Sequence, residues 1–137
     1  MDYMSIFEIS ASGMDFQRAR MEAVASNLAN VNTSRGVGGH TYKPLDVVAR
    51  ASETEFGDLL TGVGEAAVVE RNTAPRMVFN PSHPDADAQG YVALPNVNPV
   101  DEMVNMMTAT RAYEANVRAM NAARSMALRA LEIGGDN

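Results

Sequence analysis

The sequence predicts a mainly α fold: long N- and C-terminal helices packed as an antiparallel coiled-coil pair, with a small β-hairpin and loop-rich middle region. Three observations predict it. From Val100 to Ile133, apolar or small residues recur on a seven-residue beat, Met103, Thr110, Val117 and Leu131 on one line and Met106, Tyr113, Met120 and Ala127 on the next. Near the other end Phe7, Met14, Met21 and Leu28 fall seven apart, beside Ser10, Gln17, Val24 and Val31. Between them the chain breaks into short runs of β-branched and aromatic residues separated by Gly, Pro and Asn. These shifts divide the chain into an N-terminal helix within 1–33, a middle linker and small β region over 34–97, and a C-terminal helix within 98–137.

Taken in order, Ser5-Ile6-Phe7-Glu8 has the spacing of a capping box, which starts the first helix at Ile6. Gly13 lies inside that helix at a cost of about 1 kcal/mol relative to Ala, marking either a fray point or a close backbone approach. Gln17 stands either as a solvated edge or as a hydrogen-bonding residue in a seam. Asn30 to His40, NVNTSRGVGGH, is turn-forming and ends the helix. Strand candidates follow at Tyr42 to Val48, Ala66 to Glu70, Arg76 to Phe79 and Tyr91 to Leu94, and Pro44 keeps the first at an edge. Asn98 as N-cap, Pro99 at the first helical position and Asp101 at the capping-box position open the second helix, with Gly134 and Gly135 as its stop. At 1.5 Å per residue that helix is roughly 50 Å long, so only an equally long partner covers it.

With 137 residues, 46% of them apolar, the chain builds at most one or two small domains. Aromatics are sparse at 6%, and ten Met supply adaptable helix contacts rather than a rigid pocket. A net charge of -6, with no Lys/Arg run, argues against nucleic acid as a partner. Lys43 is the single lysine among the basic residues, and the arginines either suit planar contacts to carboxylates or reflect a genome-wide codon bias. No cysteine is present, which excludes disulfides, thiolate metal sites and Cys nucleophiles. Asp2, Glu8 and Asp15 interrupt the opening residues, so no ordinary secretory signal is expected, nor is any run long enough to insert in a membrane.

Chemistry-bearing clusters are few. His83, Asp85 and Asp87 in PSHPDADAQG copy the opening half of a calcium loop, but the twelfth position is Asn96 where a bidentate Glu is needed. The alternative reading makes that segment a stiffened turn, its Asp side chains capping backbone donors and Gly90 taking a positive φ. Asp101 and Glu102 are explained by the helix dipole, and Glu53 and Glu55 by solvation. There is no phosphate loop, nucleophile elbow or H-E-x-x-H motif. No enzymatic activity, metal or cofactor is expected.

Two stretches carry a resemblance. AVASNLANVNT, Ala23 to Thr33, is similar to a signature near the N-terminus of bacterial flagellar axial proteins, the rod and hook group. PSHPDADAQGYVALPNVN, EMVNMMTATRAYEANV and MALRALEIG resemble the proximal-rod C type of the flagellar basal-body rod proteins. The resemblance implies a structural subunit exported by the flagellar type III apparatus and assembled helically in the periplasm-spanning rod, its terminal helices lining the inner tube and transmitting torque. It implies as partners further copies, other rod proteins and the export-gate end of the basal body. The subunit interface is then expected on both heptad stripes and at the amides of the first helix end: Met14, Met21, Val24, Asn27, Leu28, Asn30 and Val31 from the first helix, and Met103, Met106, Tyr113, Val117, Met120 and Leu131 from the second. Asn27 and Asn30 are expected either to bond other amides across subunits or to end the helix. Competing readings are a cytosolic helical-hairpin adaptor and a small calcium-binding protein.

Overall fold

The computed structural model describes residues 3–35, 39–50 and 65–134. Glu53, Glu55, Gly135 and the centre of the Asn30 to His40 turn segment lie outside the described residues. The element order is α1 (Tyr3–Ala29), β1 (Leu45–Ala49), β2 (Ala66–Glu70), β3 (Arg76–Phe79), β4 (Tyr91–Leu94) and α2 (Pro99–Gly134). The helix starts before Ile6, so Ser5 sits inside α1 rather than at its cap. It ends where expected: Asn30 N–H and its side-chain Nδ2 both donate to Ser26 O, at 3.1 and 2.9 Å, and Thr33 Oγ1 donates to Asn30 Oδ1. The helix-ending role of Asn30 is thus satisfied inside the chain.

At the start of α2, Asn98 Oδ1 accepts the Val100 N–H at 3.1 Å, while its Nδ2 donates to Asp101 Oδ2 at 2.9 Å. Asn98 is the N-cap, and Asp101 holds its side chain in place from the first turn.

Two separate two-stranded antiparallel sheets form the middle: β1 with β2, Leu45 opposite Glu70, and β3 with β4, Arg76 opposite Leu94. Three of the four strands coincide with the expected runs. The first begins at Leu45 instead of Tyr42, because Pro44 cannot donate to a ladder; its carbonyl still accepts the Arg71 N–H at 2.6 Å. The β3–β4 connection is the stiff turn that its sequence suggested. Asp87 Oδ1 accepts the N–H groups of Gln89 and Tyr91, and Gly90 adopts φ +86°. A Cβ on Gly90 would also lie 2.9 Å from the Phe79 ring, which packs edge-on against Tyr91 at 5.3 Å. Gly90→Ala is therefore expected to destabilise this hairpin by about 1–3 kcal/mol, from the left-handed backbone and the clash together. Amide exchange should rise across 79–91 and stay unchanged in α1 and α2.

The helices pack on one another along a line that the heptads place one residue away. Asn27 meets Glu102, Met21 meets Thr110 and Gly13 meets Asn116, so positions fall on α2 as they rise on α1. Among the described residues, those buried on α1 are Ser10, Gly13, Ala23, Val24 and Asn27, and those buried on α2 are Glu102, Ala109 and Ala123. On the Ser10–Val31 line Ser10 and Val24 are buried, while Met106, Tyr113 and Met120 are half-buried. The companion lines are not Phe7–Leu28 and Met103–Leu131 but their immediate predecessors, Gly13 with Asn27 and Glu102, Ala109, Asn116 and Ala123. Close approach decides this. A Cβ on Gly13 would sit 2.8 Å from Asn116 Nδ2, and Ala109 and Ala123 are 0% and 1% exposed. Small residues let the backbones draw together, and larger Met and Leu are turned to the side. Gln17 is not a solvated edge: its Oε1 is enclosed, with no donor among the described residues.

Candidate functional site

Where the end of α1, the lead-in to β1 and the first turn of α2 converge, a polar hub forms around Asn27, which is 0% exposed. Its Nδ2 donates to Leu45 O at 2.9 Å and to Glu102 Oε2 at 3.2 Å. Its Oδ1 accepts from Leu45 N–H at 2.7 Å and from the Tyr42 hydroxyl at 3.0 Å. Two donors and two acceptors exhaust the amide. The amide thus pairs with Leu45 as a neighbouring strand would, which starts β1 against the helix. Because Oδ1 can only accept, the Tyr42 proton is committed to it, and the Ser26 hydroxyl at 3.0 Å must donate to Tyr42.

Glu102 is the residue that sequence reasoning missed. It is not a solvated first-turn acid; it is 2% exposed, with Asn27 on one oxygen and Arg71 Nη1 at 3.6 Å from the other. Arg71 Nη2 also reaches Asp46 at 3.7 Å. A buried carboxylate is tolerated only when paired and hydrogen-bonded, and here the α2 N-terminus adds its favourable dipole. The signal was present as an acid seven residues before Ala109, on the small-residue line. One chain of contacts thus runs Ser26, Tyr42, Asn27, Glu102, Arg71, Asp46 and fixes both helices and the β1–β2 sheet to one another.

A second anchor lies at Asp85, which accepts Ser34 Oγ at 2.7 Å and pairs with Arg35 at 3.2 Å, while His83 Nδ1 accepts the Asp85 N–H. The carboxylates read as half of a calcium loop are engaged in holding the turn after α1 and the β3–β4 connection. Among the described residues no group of three or more His, Asp or Glu side chains is placed to hold a metal ion. An open cleft of about 790 Å³ beside Tyr42 contains Arg35 and Lys43, but these face Asp85 and Glu70.

The expected interface residues divide by position. Val24 and Asn27 are buried inside the chain, and the Asn27 amide, expected to bond across subunits, has every position filled at home. Met14, Met21, Leu28, Asn30, Val31, Met106, Tyr113, Val117 and Met120 are half-buried. Met103 and Leu131 are exposed, at 56% and 72%. Since Met21 touches Thr110, the Phe7–Leu28 and Met103–Leu131 lines lie on the same side of the helix pair. The helices also differ in length, 27 residues against 36, and Leu128, Leu131 and Ile133 project past the described part of α1. No helix among the described residues is long and apolar enough to cross a membrane.

The terminal helices thus flank a small β middle and leave apolar side chains such as Met103 and Leu131 exposed. Residues 7–35 match the family described as flagella basal body rod protein, and residues 88–133 match the family described as flagellar basal body rod FlgEFG protein C-terminal. The flagellar basal-body rod protein FlgC of Salmonella typhimurium strain LT2 is 40% identical over 134 residues, spanning 98% of this chain and 99% of that one. FlgC of Bacillus subtilis strain 168 is also 40% identical, spanning 92% and 94% of the two chains, and FlgC of Aquifex aeolicus is 38% identical over 96% and 97%. The chain belongs to the FlgC family of flagellar basal-body rod proteins.

Proposed function

We propose that this chain is a structural, non-catalytic subunit of the proximal rod of the flagellar basal body, exported by the flagellar type III apparatus and assembled helically to transmit torque. The carrying observation is the likeness to FlgC rod proteins at 36–40% identity over nearly the whole length, including the middle region. Three domain-like segments, 1–33, 34–97 and 98–137, then divide the work: the outer two form the antiparallel coiled-coil core, and the middle one faces neighbouring subunits. Its partners are further copies, other rod proteins and the export-gate end of the basal body. Nucleic acid and direct membrane insertion have no part in the proposal.

The interface is assigned to the side of the helix pair where Met14, Met21, Leu28, Met103 and Val117 stand, continued by the projecting Leu131. Val24 and Asn27 serve it from inside, by holding the two helices in register. Met106, Tyr113 and Met120 border it along the helix contact, while Asn30 and Val31 shape its end. Burying such a face against another subunit removes apolar area from water at about 25 cal/mol per Å². Leu28→Asp places a charge on that side without touching the hub. It should leave expression unchanged and abolish rod incorporation, measured as lost motility and as absence of the chain from isolated basal bodies. Normal swimming by that variant would reject the assignment.

A further inference from the structure

The outer faces of the two helices, turned away from their mutual contact, carry charges of opposite sign on matching repeats. On α1, Glu8, Asp15 and Glu22 are exposed and seven residues apart, a rise of about 10 Å per step. On α2, Arg111 and Arg118 are exposed with the same spacing. Glu22 and Arg111 form no ion pair among the described residues. Asp15 and Arg118 make only solvent-exposed pairs with Arg18 and Glu114 on their own helices. Within one chain these two lines point in opposite directions and cannot meet.

The geometry points to a second copy of this chain as what joins them: the acidic line of one copy docks on the Arg111–Arg118 line of the next, displaced along the helix axis by about 6 Å. The inference rests on the rod-subunit reading and names which faces adjoin and in what register. The displacement follows from residue positions. Asn27 stands level with Glu102 and Gly13 with Asn116, so copies placed side by side without a shift would bring Asp15 opposite Glu114 and Arg18 opposite Arg111. Both juxtapositions are repulsive. A shift of one helical turn brings Glu22 to Arg111 and Asp15 to Arg118 together, and Glu8 to the Ser125 hydroxyl. Repulsion in the unshifted register and attraction in the shifted one select a single arrangement, the function charges perform best at an interface rim. A head-to-tail contact with an axial offset does not close into a flat ring; it climbs as an open helix.

The absence of native cysteine makes the register directly readable. A disulfide requires Cα atoms roughly 4.4–6.8 Å apart. In a flagellated cell carrying this chain in place of its own, Glu22→Cys with Arg111→Cys, and separately Asp15→Cys with Arg118→Cys, should give dimers and higher multimers of the chain on oxidation of isolated basal bodies. Glu22→Cys with Met107→Cys, the unshifted pair, should stay monomeric. Cross-linking by the 22–107 pair, attachment to a different rod protein, or no ladder in basal bodies that contain the chain would overturn the inference while leaving the rod assignment standing. Absence of the unaltered chain from basal bodies would sink the rod assignment itself. Charge reversal supplies a second readout. Glu22→Arg or Arg111→Glu alone should lower incorporation several-fold, and the two together should restore it; failure of the double exchange to recover would count against the pairing.

Discussion

Asn27→Ala is expected to remove about 3 kcal/mol or more of stability and to lower the midpoint of helix loss by about 10 °C, followed by circular dichroism. Alanine is the better helix former, so intrinsic propensity acts in the opposite direction and the whole loss is tertiary. Three groups lose their partner at once, the Leu45 N–H, the Leu45 carbonyl and one oxygen of the Glu102 carboxylate, and the Tyr42 hydroxyl is left with Ser26 alone. Each buried polar group left unmatched costs about 1–3 kcal/mol, and part of that is recovered where water reaches the half-exposed Tyr42. Asn27→Asp should be worse than Asn27→Ala, because it keeps the acceptor but sets a second carboxylate against buried Glu102. Adding Glu102→Gln to Asn27→Asp should recover part of the difference, which isolates the pair from the rest of the hub. Equal midpoints for Asn27→Ala and the unaltered chain would show that the hub holds nothing. Against a typical total of about 5–15 kcal/mol, such a loss is enough to loosen α1 from β1 and α2 without unfolding each helix.

Much of the fold could be read from the residues because the signals were local. The Asn98-Pro99-Asp101 start of α2 depends on side chains within one turn of each other. So do the Asp87 and Gly90 turn and the three strand runs matched from end to end. The hub was illegible for the converse reason. Glu102 lies 75 residues from Asn27, and its burial follows from an encounter that no window of sequence contains. The heptads failed in a more specific way. Hydrophobic periodicity finds the largest apolar residues and assigns them to the contact, but a contact built on Gly13, Ala109 and Ala123 gains from closeness rather than bulk. Such a seam turns the Met and Leu lines aside, where a chain that must associate further has use for them.

Ala109→Leu against Thr110→Leu separates these two accounts of the helix contact. If the contact ran along Met103, Thr110 and Val117, leucine at 110 would extend an apolar seam and strengthen it, and leucine at 109 would point away harmlessly. The structure requires the reverse order. Ala109 is fully enclosed, and three added carbon atoms have no space unless the helices separate, a distortion costing about 2–3 kcal/mol. Separation at 109 also draws Glu102 away from Asn27 one line above and Asn116 from Gly13 one line below, so the penalty is shared by the hub. Thr110 is exposed; its hydroxyl bonds back to Met106 O at 2.9 Å and lies 3.5 Å from Met21 Sδ, a weak contact that a leucine side chain replaces with an apolar one, so leucine there gains slightly in helix propensity at little cost. Thermal unfolding should therefore rank Thr110→Leu at or above the unaltered chain and Ala109→Leu well below it. In cells the order should change: Thr110→Leu enlarges the uncovered side proposed to meet other subunits, and altered assembly without loss of stability would place that residue outside the seam and on the interface.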